Sequence, residues 1–141
     1  MGTTTRPAAS LAAARDAIVV LSTAPDAATG ERIGRALVEA RLAACVNVVP
    51  GLVSIYRWKG SLSRDPEVLC VIKTRRTLLA RMATRLRQVH PYEVPEILAI
   101  AVQSAGLPYL AWLLAETRPG SPKTALGGRT RSLPKQKDKK R

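Results

Sequence analysis

Glu67-Val68-Leu69-Cys70-Val71-Ile72-Lys73-Thr74 is a run in which Val68, Cys70 and Ile72 alternate with Leu69 and Val71, so both faces of the extended chain are apolar. β-branched residues at this density read as a strand, and a strand apolar on both faces is buried on both faces. Ile97 and Ala99 alternate with Leu98, Ile100 and Val102 in the same way, so Glu96 to Val102 reads as a second such strand. Working outward, Thr77 to Val89 carries Leu78, Leu79, Met82, Leu86 and Val89 at helical spacing, with arginines elsewhere on the helix. Ala17 to Thr23 is another β-branched run, ended by Ala24-Pro25-Asp26; Asp26 caps a helix whose apolar positions are Ile33, Ala36, Leu37 and Ala40. Gly30 is a weak point in that helix, costing on the order of 1 kcal/mol against alanine. Ala43 to Val49 is extended and breaks at Pro50-Gly51. Leu52 to Trp58 continues beyond the bend, and a loop from Lys59 to Pro66 returns the chain into Glu67 to Thr74 as a hairpin. Pro108 to Glu116 closes the chain with a short helix.

The order βαββαβ with an added C-terminal helix predicts an α+β fold, a ferredoxin-like sandwich with helices on one face of a four-stranded antiparallel sheet. Two main helices cover one face only. Since the strands are apolar on both, the second face is expected to be buried against another subunit, which makes the protein an obligate oligomer.

His90-Pro91-Tyr92-Glu93-Val94-Pro95-Glu96 joins the second helix to the last strand and holds the only histidine of the chain. Its two prolines forbid a helix and make a rigid turn that aims polar groups at one place. His90 is either a metal ligand or acid/base group, or a residue that fixes the loop by hydrogen bonds. A lone histidine makes no tight zinc site within one chain. Glu93, Glu96 or a thiol from a neighbouring chain would complete a modest site for Cu(II) or another divalent ion. Nothing in the spacing of Glu93 and Glu96 points to a glycosidase pair, and arginine partners explain both carboxylates more simply. Cys45 and Cys70 lie in apolar runs without zinc spacing; they read as buried free thiols of a reducing compartment, with a soft-metal ligand as the functional alternative.

Nearly half of the 141 residues are hydrophobic, which suits one globular domain over residues 17–117. Residues 1–16 read as a flexible extension without a signal-peptide core, no run is long enough to span a membrane, and the expected location is cytoplasmic. The net charge of +13 is concentrated at the end: residues 118–141 carry nine Lys/Arg and one Asp. Rich in Pro, Gly and Ser, that tail reads as disordered and suited to nonspecific contact with a polyanion. Tyr56 and Trp58 beside Arg57 and Lys59 suggest an RNA-binding platform, but Glu67 to Thr74 lacks the stacking aromatics such a module needs, and the chain has no Phe. No phosphate loop, nucleophile elbow or metalloprotease motif is present, and no pairing activates a nucleophile, so no enzymatic role is expected.

Thr23-Ala24-Pro25-Asp26, Leu42-Ala43-Ala44-Cys45-Val46-Asn47, Ser54-Ile55-Tyr56-Arg57-Trp58-Lys59-Gly60, Val71-Ile72-Lys73-Thr74, His90 to Glu96 and Pro108-Tyr109-Leu110-Ala111-Trp112 together resemble the CutA-type divalent-cation tolerance proteins. The resemblance runs in order from about Ala17 to Thr117. It implies a ferredoxin-like protomer in a tight homotrimer with clefts between subunits, an architecture similar to PII signalling proteins, and a role in tolerance of copper and other divalent cations. Some copper-binding members carry a Cys before Thr-Ala-Pro-Asp and a second His before His-Pro-Tyr; here Ser22 and Val89 stand there, and only His90 carries over. The resulting expectation is weak metal binding in an intersubunit cleft, with His90 and Cys45 as ligands, Trp58, Lys73, Tyr92 and Glu93 lining the cleft, and no organic cofactor. The alternative is a PII-like signalling trimer that binds a small anion or metabolite in the same cleft and relays its occupancy to a partner.

Overall fold

Asp26, extended at φ −155°, accepts a hydrogen bond from the Thr29 amide at 2.7 Å, and this cap starts the first helix where the sequence places it. The computed structural model describes residues 10–118. In chain order the elements are β1 (Leu11–Ala13), β2 (Ala17–Ala24), α1 (Ala27–Glu39), β3 (Cys45–Trp58) and β4 (Ser61–Arg75). A 3-10 turn (Arg76–Leu78) leads into α2 (Leu79–Val89), followed by β5 (Leu98–Ala101), β6 (Ser104–Gly106) and α3 (Leu107–Glu116). The main sheet has the strand order β3-β4-β2-β5, antiparallel throughout, and β1 pairs with β6 in a separate two-stranded sheet. The fold is therefore mixed α+β with antiparallel sheets, as the pattern predicts.

One sheet face carries the core. Ile18, Val20 and Ala24 of β2 and Val68, Cys70 and Ile72 of β4 pack with Ile33 and Leu37 of α1 and Met82 and Leu86 of α2. Val46 and Val48 of β3 join them, and the glycines of α1 decide how closely. A Cβ on Gly30 would sit 3.0 Å from Val48 Cγ1 and 3.2 Å from Val68 Cγ2, and one on Gly34 would sit 3.2 Å from Val46 Cβ. Gly30 is thus not a weak point but the place where helix and sheet approach. Helix propensity alone predicts that Gly30→Ala stabilises; we expect it to destabilise by about 1–3 kcal/mol, because the added methyl overpacks the seam. A urea melt showing a gain would reverse that sign.

Three expectations are corrected. The Lys59 to Pro66 loop does not exist: β3 and β4 run as one ribbon, paired from Cys45↔Lys73 to Trp58↔Ser61, with an irregularity between Val49 and Leu52 at Pro50-Gly51. Lys59 (φ 48°) and Gly60 (φ 79°) both have the left-handed conformation that a two-residue hairpin turn requires. Pro66 is tolerated because β2 pairs only with Val68 to Arg75, leaving that part of β4 with one neighbour. The last strand is shorter than Glu96 to Val102, since the segment after Pro95 remains irregular up to Leu98. The flexible extension over residues 1–16 fails for its second half: Leu11–Ala13 is a strand, and Ala14 is buried with Ala17, Ala44, Leu110 and Leu113. Small side chains there let β1 lie close under α3, and Leu107 N donates to Ser10 O at 2.8 Å. Residues 1–9 and the basic tail beyond residue 118 lie outside the described residues.

The opposite sheet face is uncovered in the single chain. The register places Val49, Leu69, Val71, Val19, Leu21, Leu98 and Ile100 on it, and Leu98 and Ile100 are 55% and 49% exposed. α3 reaches only one end, where Arg75 donates to Leu114 O at 2.6 Å and Thr117 O at 3.3 Å.

Candidate functional site

Pro91 ends α2, and His90 leaves the helix with extended backbone, φ −87° and ψ 135°. That exit turns the imidazole inward. His90 Nδ1 accepts from the Tyr92 amide at 3.0 Å, so it carries no proton; Nε2 then bears the proton and donates to the Thr23 carbonyl at 2.8 Å. The two rings lie 4.8 Å apart at 45°. The Tyr92 hydroxyl donates to Glu67 Oε2 at 2.6 Å, and His90, Tyr92 and Glu67 are all buried. A polar chain thus runs from the end of β2 through the turn into β4. Its hydrogen bonds explain how a carboxylate and an imidazole are accommodated in the interior.

The other residues singled out from the sequence are not brought to this cluster by one chain. Lys73 is six residues from Glu67 along β4, about 20 Å at the rise of a strand, and its Nζ donates to Asn47 Oδ1. Trp58 pairs with Ser61, six residues from Glu67 the other way and again about 20 Å off, with Lys59 Nζ 6.0 Å from its ring centroid. Glu93 follows Tyr92 and is exposed. Cys45 is opposite Lys73 on the uncovered sheet face and half-buried, so it is not a core thiol. Cys70 is; burial pushes its thiol up to about 11, which keeps it protonated and inert.

With both imidazole nitrogens engaged inside the chain and Cys45 on the uncovered sheet face, the residues of one protomer do not fit a shared copper site through His90 and Cys45. No group of three or more His, Cys, Asp or Glu side chains comes together among the described residues. Ser22 is buried, and its hydroxyl has no hydrogen-bond partner among the described residues. Sequence reasoning missed Glu67, which it read only as the start of a strand. The available signal was an acid leading an apolar run, together with a tyrosine whose hydroxyl needs a partner once buried.

An antiparallel α+β domain with this polar chain at a His-Pro-Tyr turn defines the class, and comparison with known proteins supplies the family. Residues 18–116 match the family model of the CutA1 divalent ion tolerance protein. The divalent-cation tolerance protein CutA of Thermus thermophilus is 46% identical over 99 residues, covering 70% of this chain and 96% of the relative. Human Protein CutA is 47% identical over 91 residues, covering 64% of this chain and 51% of the relative, so the chain spans about half the length of that protein. Among solved structures, CutA from Xylella fastidiosa superposes with a TM-score of 0.70 at 43% identity, covering 73% of this chain and 99% of that one. A periplasmic divalent cation tolerance protein CutA from Archaeoglobus fulgidus gives a TM-score of 0.70 at 30% identity, covering 72% and 99%. The chain belongs to the CutA1 divalent ion tolerance family. No helix among the described residues is long and apolar enough to cross a membrane.

Proposed function

We propose that the protein serves divalent-cation tolerance as a cytoplasmic homotrimer of ferredoxin-like protomers, holding an ion weakly in a cleft between subunits. The family match across residues 18–116 carries this reading. The half-exposed leucine and isoleucine of the uncovered sheet face support assembly, and the two free thiols support a reducing compartment. Since Trp58, Lys73, Tyr92 and Glu93 are spread along one chain, a cleft containing all four needs more than one copy. The proposed role is non-catalytic and needs no organic cofactor.

In this reading His90 is a positioning residue. Its hydrogen bonds hold Tyr92, which presents Glu93 to solvent, and exposed carboxylates meeting across subunits would hold a divalent ion such as copper through oxygen. The test is a calorimetric titration of Cu(II) into the full chain, in a buffer that does not bind metal, beside Glu93→Gln. Saturable binding that weakens in the variant is expected. No saturable binding, or binding indifferent to Glu93, would overturn the assignment.

A further inference from the structure

The helix α2 and its lead-in have a charge pattern unlike the rest of the domain. From Val68 to Tyr92 the chain carries Lys73, Arg75, Arg76, Arg81, Arg85 and Arg87 and not one acid. By contrast, α1 mixes Glu31 and Glu39 with Arg32 and Arg35. Arg75 is taken up by the carbonyls at the end of α3. The other four arginines remain on the outside, Arg76, Arg81 and Arg87 exposed and Arg85 half-buried, and among the described residues their only side-chain bonds are to neutral groups: Arg76 Nε donates to Arg15 O at 3.2 Å and Arg85 Nη1 to Gln88 Oε1 at 3.3 Å. Among the described residues the one salt bridge is Arg41–Glu116, so no arginine of α2 has an acidic partner. Arg81 and Arg85 are one helical turn apart, a like-charge pair that destabilises a helix unless something external neutralises it. Arg76 and Arg87 border the groove between α2 and β5.

From this we infer that the outer side of α2 and of the turn leading into it is a nucleic-acid docking surface, the guanidinium groups of Arg76, Arg81, Arg85 and Arg87 taking phosphodiester oxygens without reading sequence. Guanidinium forks match phosphate oxygens two at a time, and Arg81 and Arg85 along one edge of the exposed face, with Arg87 and Arg76 of the lead-in turn along the other, offer contacts on both sides of it. A membrane fits less well: the apolar residues Leu78, Met82 and Leu86 are buried beneath the helix, and Ala80, Thr84 and Gln88 between the arginines give nothing to insert into a bilayer. An acidic protein would want an apolar or aromatic anchor that the face lacks. The nine Lys/Arg of residues 118–141 have the same sign as α2, so they add to the attraction for one polyanion.

The experiment is fluorescence anisotropy of a labelled duplex DNA with the full chain over a range of salt concentrations. Beside the wild type stand a variant with Arg76, Arg81, Arg85 and Arg87 all changed to Ala and a control with Arg32→Ala and Arg35→Ala in α1. The α2 variant is expected to bind at least about tenfold more weakly, and its salt dependence, as log affinity against log salt, to flatten by about 3 to 4. The control should bind like the wild type. Should four substitutions disturb folding, as seen by circular dichroism, Arg81→Gln with Arg85→Gln alone should flatten the slope by about 2. Unchanged affinity and slope in the α2 variants would assign all polyanion contact to the tail. Tight binding of phosphatidylserine vesicles without binding of DNA would likewise overturn the inference.

Discussion

His90→Ala is expected to lower the free energy of unfolding by about 3 kcal/mol. The substitution removes two partners at once: the Thr23 carbonyl loses the Nε2 proton and the Tyr92 amide loses its Nδ1 acceptor. Both lie against a ring only 8% exposed, so water does not freely replace it. Each buried group left unpaired costs about 1–3 kcal/mol, and the vacated ring adds a cavity. Tyr92→Phe is the contrast to measure. It deletes one hydroxyl donor to Glu67 and leaves the imidazole contacts in place, so about 1–2 kcal/mol is expected. Urea unfolding of both variants checks the order. If His90→Ala came within about 1 kcal/mol of the wild type, the polar chain would not be holding the turn.

The second large effect concerns assembly. Val71 sits on β4 in the middle of the uncovered sheet face, between Asn47 of β3 and Leu21 of β2, and is half-buried within its own chain. Val71→Glu therefore disturbs the protomer little. Closed against another copy, the same carboxylate would be desolvated in an apolar interface, and the Lys73 ammonium two residues along β4, already bonded to Asn47, would offset only part of a cost of several kcal/mol per subunit. Light scattering should find the wild type at a multiple of the 15.2 kDa chain and the variant near 15.2 kDa. A wild type that scatters as a single chain would remove the basis for a cleft between subunits, and a variant that stays assembled would move the interface off this sheet face.

Much of the fold was legible because the pattern and the local chemistry agree. Val68, Cys70 and Ile72 face the helices as their alternation requires, and Asp26 caps α1. What was not legible depends on partners distant in sequence. Nothing local to Gly30 says that Val48 and Val68 will lie over it, so propensity assigned it the wrong sign. Ser61 to Pro66 has the polar composition of a loop and becomes strand only because the Lys59-Gly60 turn folds it back along β3. Leu11–Ala13 is too short and too rich in alanine to announce a strand, and its partner lies beyond residue 100. At the site, the prolines around Tyr92 mark the turn. The acceptor of the Tyr92 hydroxyl is 25 residues away, and its pairing follows from the sheet register.

The β3–β4 ribbon has one more consequence. Its inner half lies beside β2 and over the core, but from Ser61 to Pro66 it projects past the end of β2, with Ile55 67% and Leu62 73% exposed. A two-stranded ribbon with nothing beneath it is marginal in water. Under the proposed assembly the domain would divide into a portion whose amides are protected from exchange at any dilution and an arm whose protection rises with protein concentration. Order at the arm's tip becomes a readout of how many neighbours the molecule has.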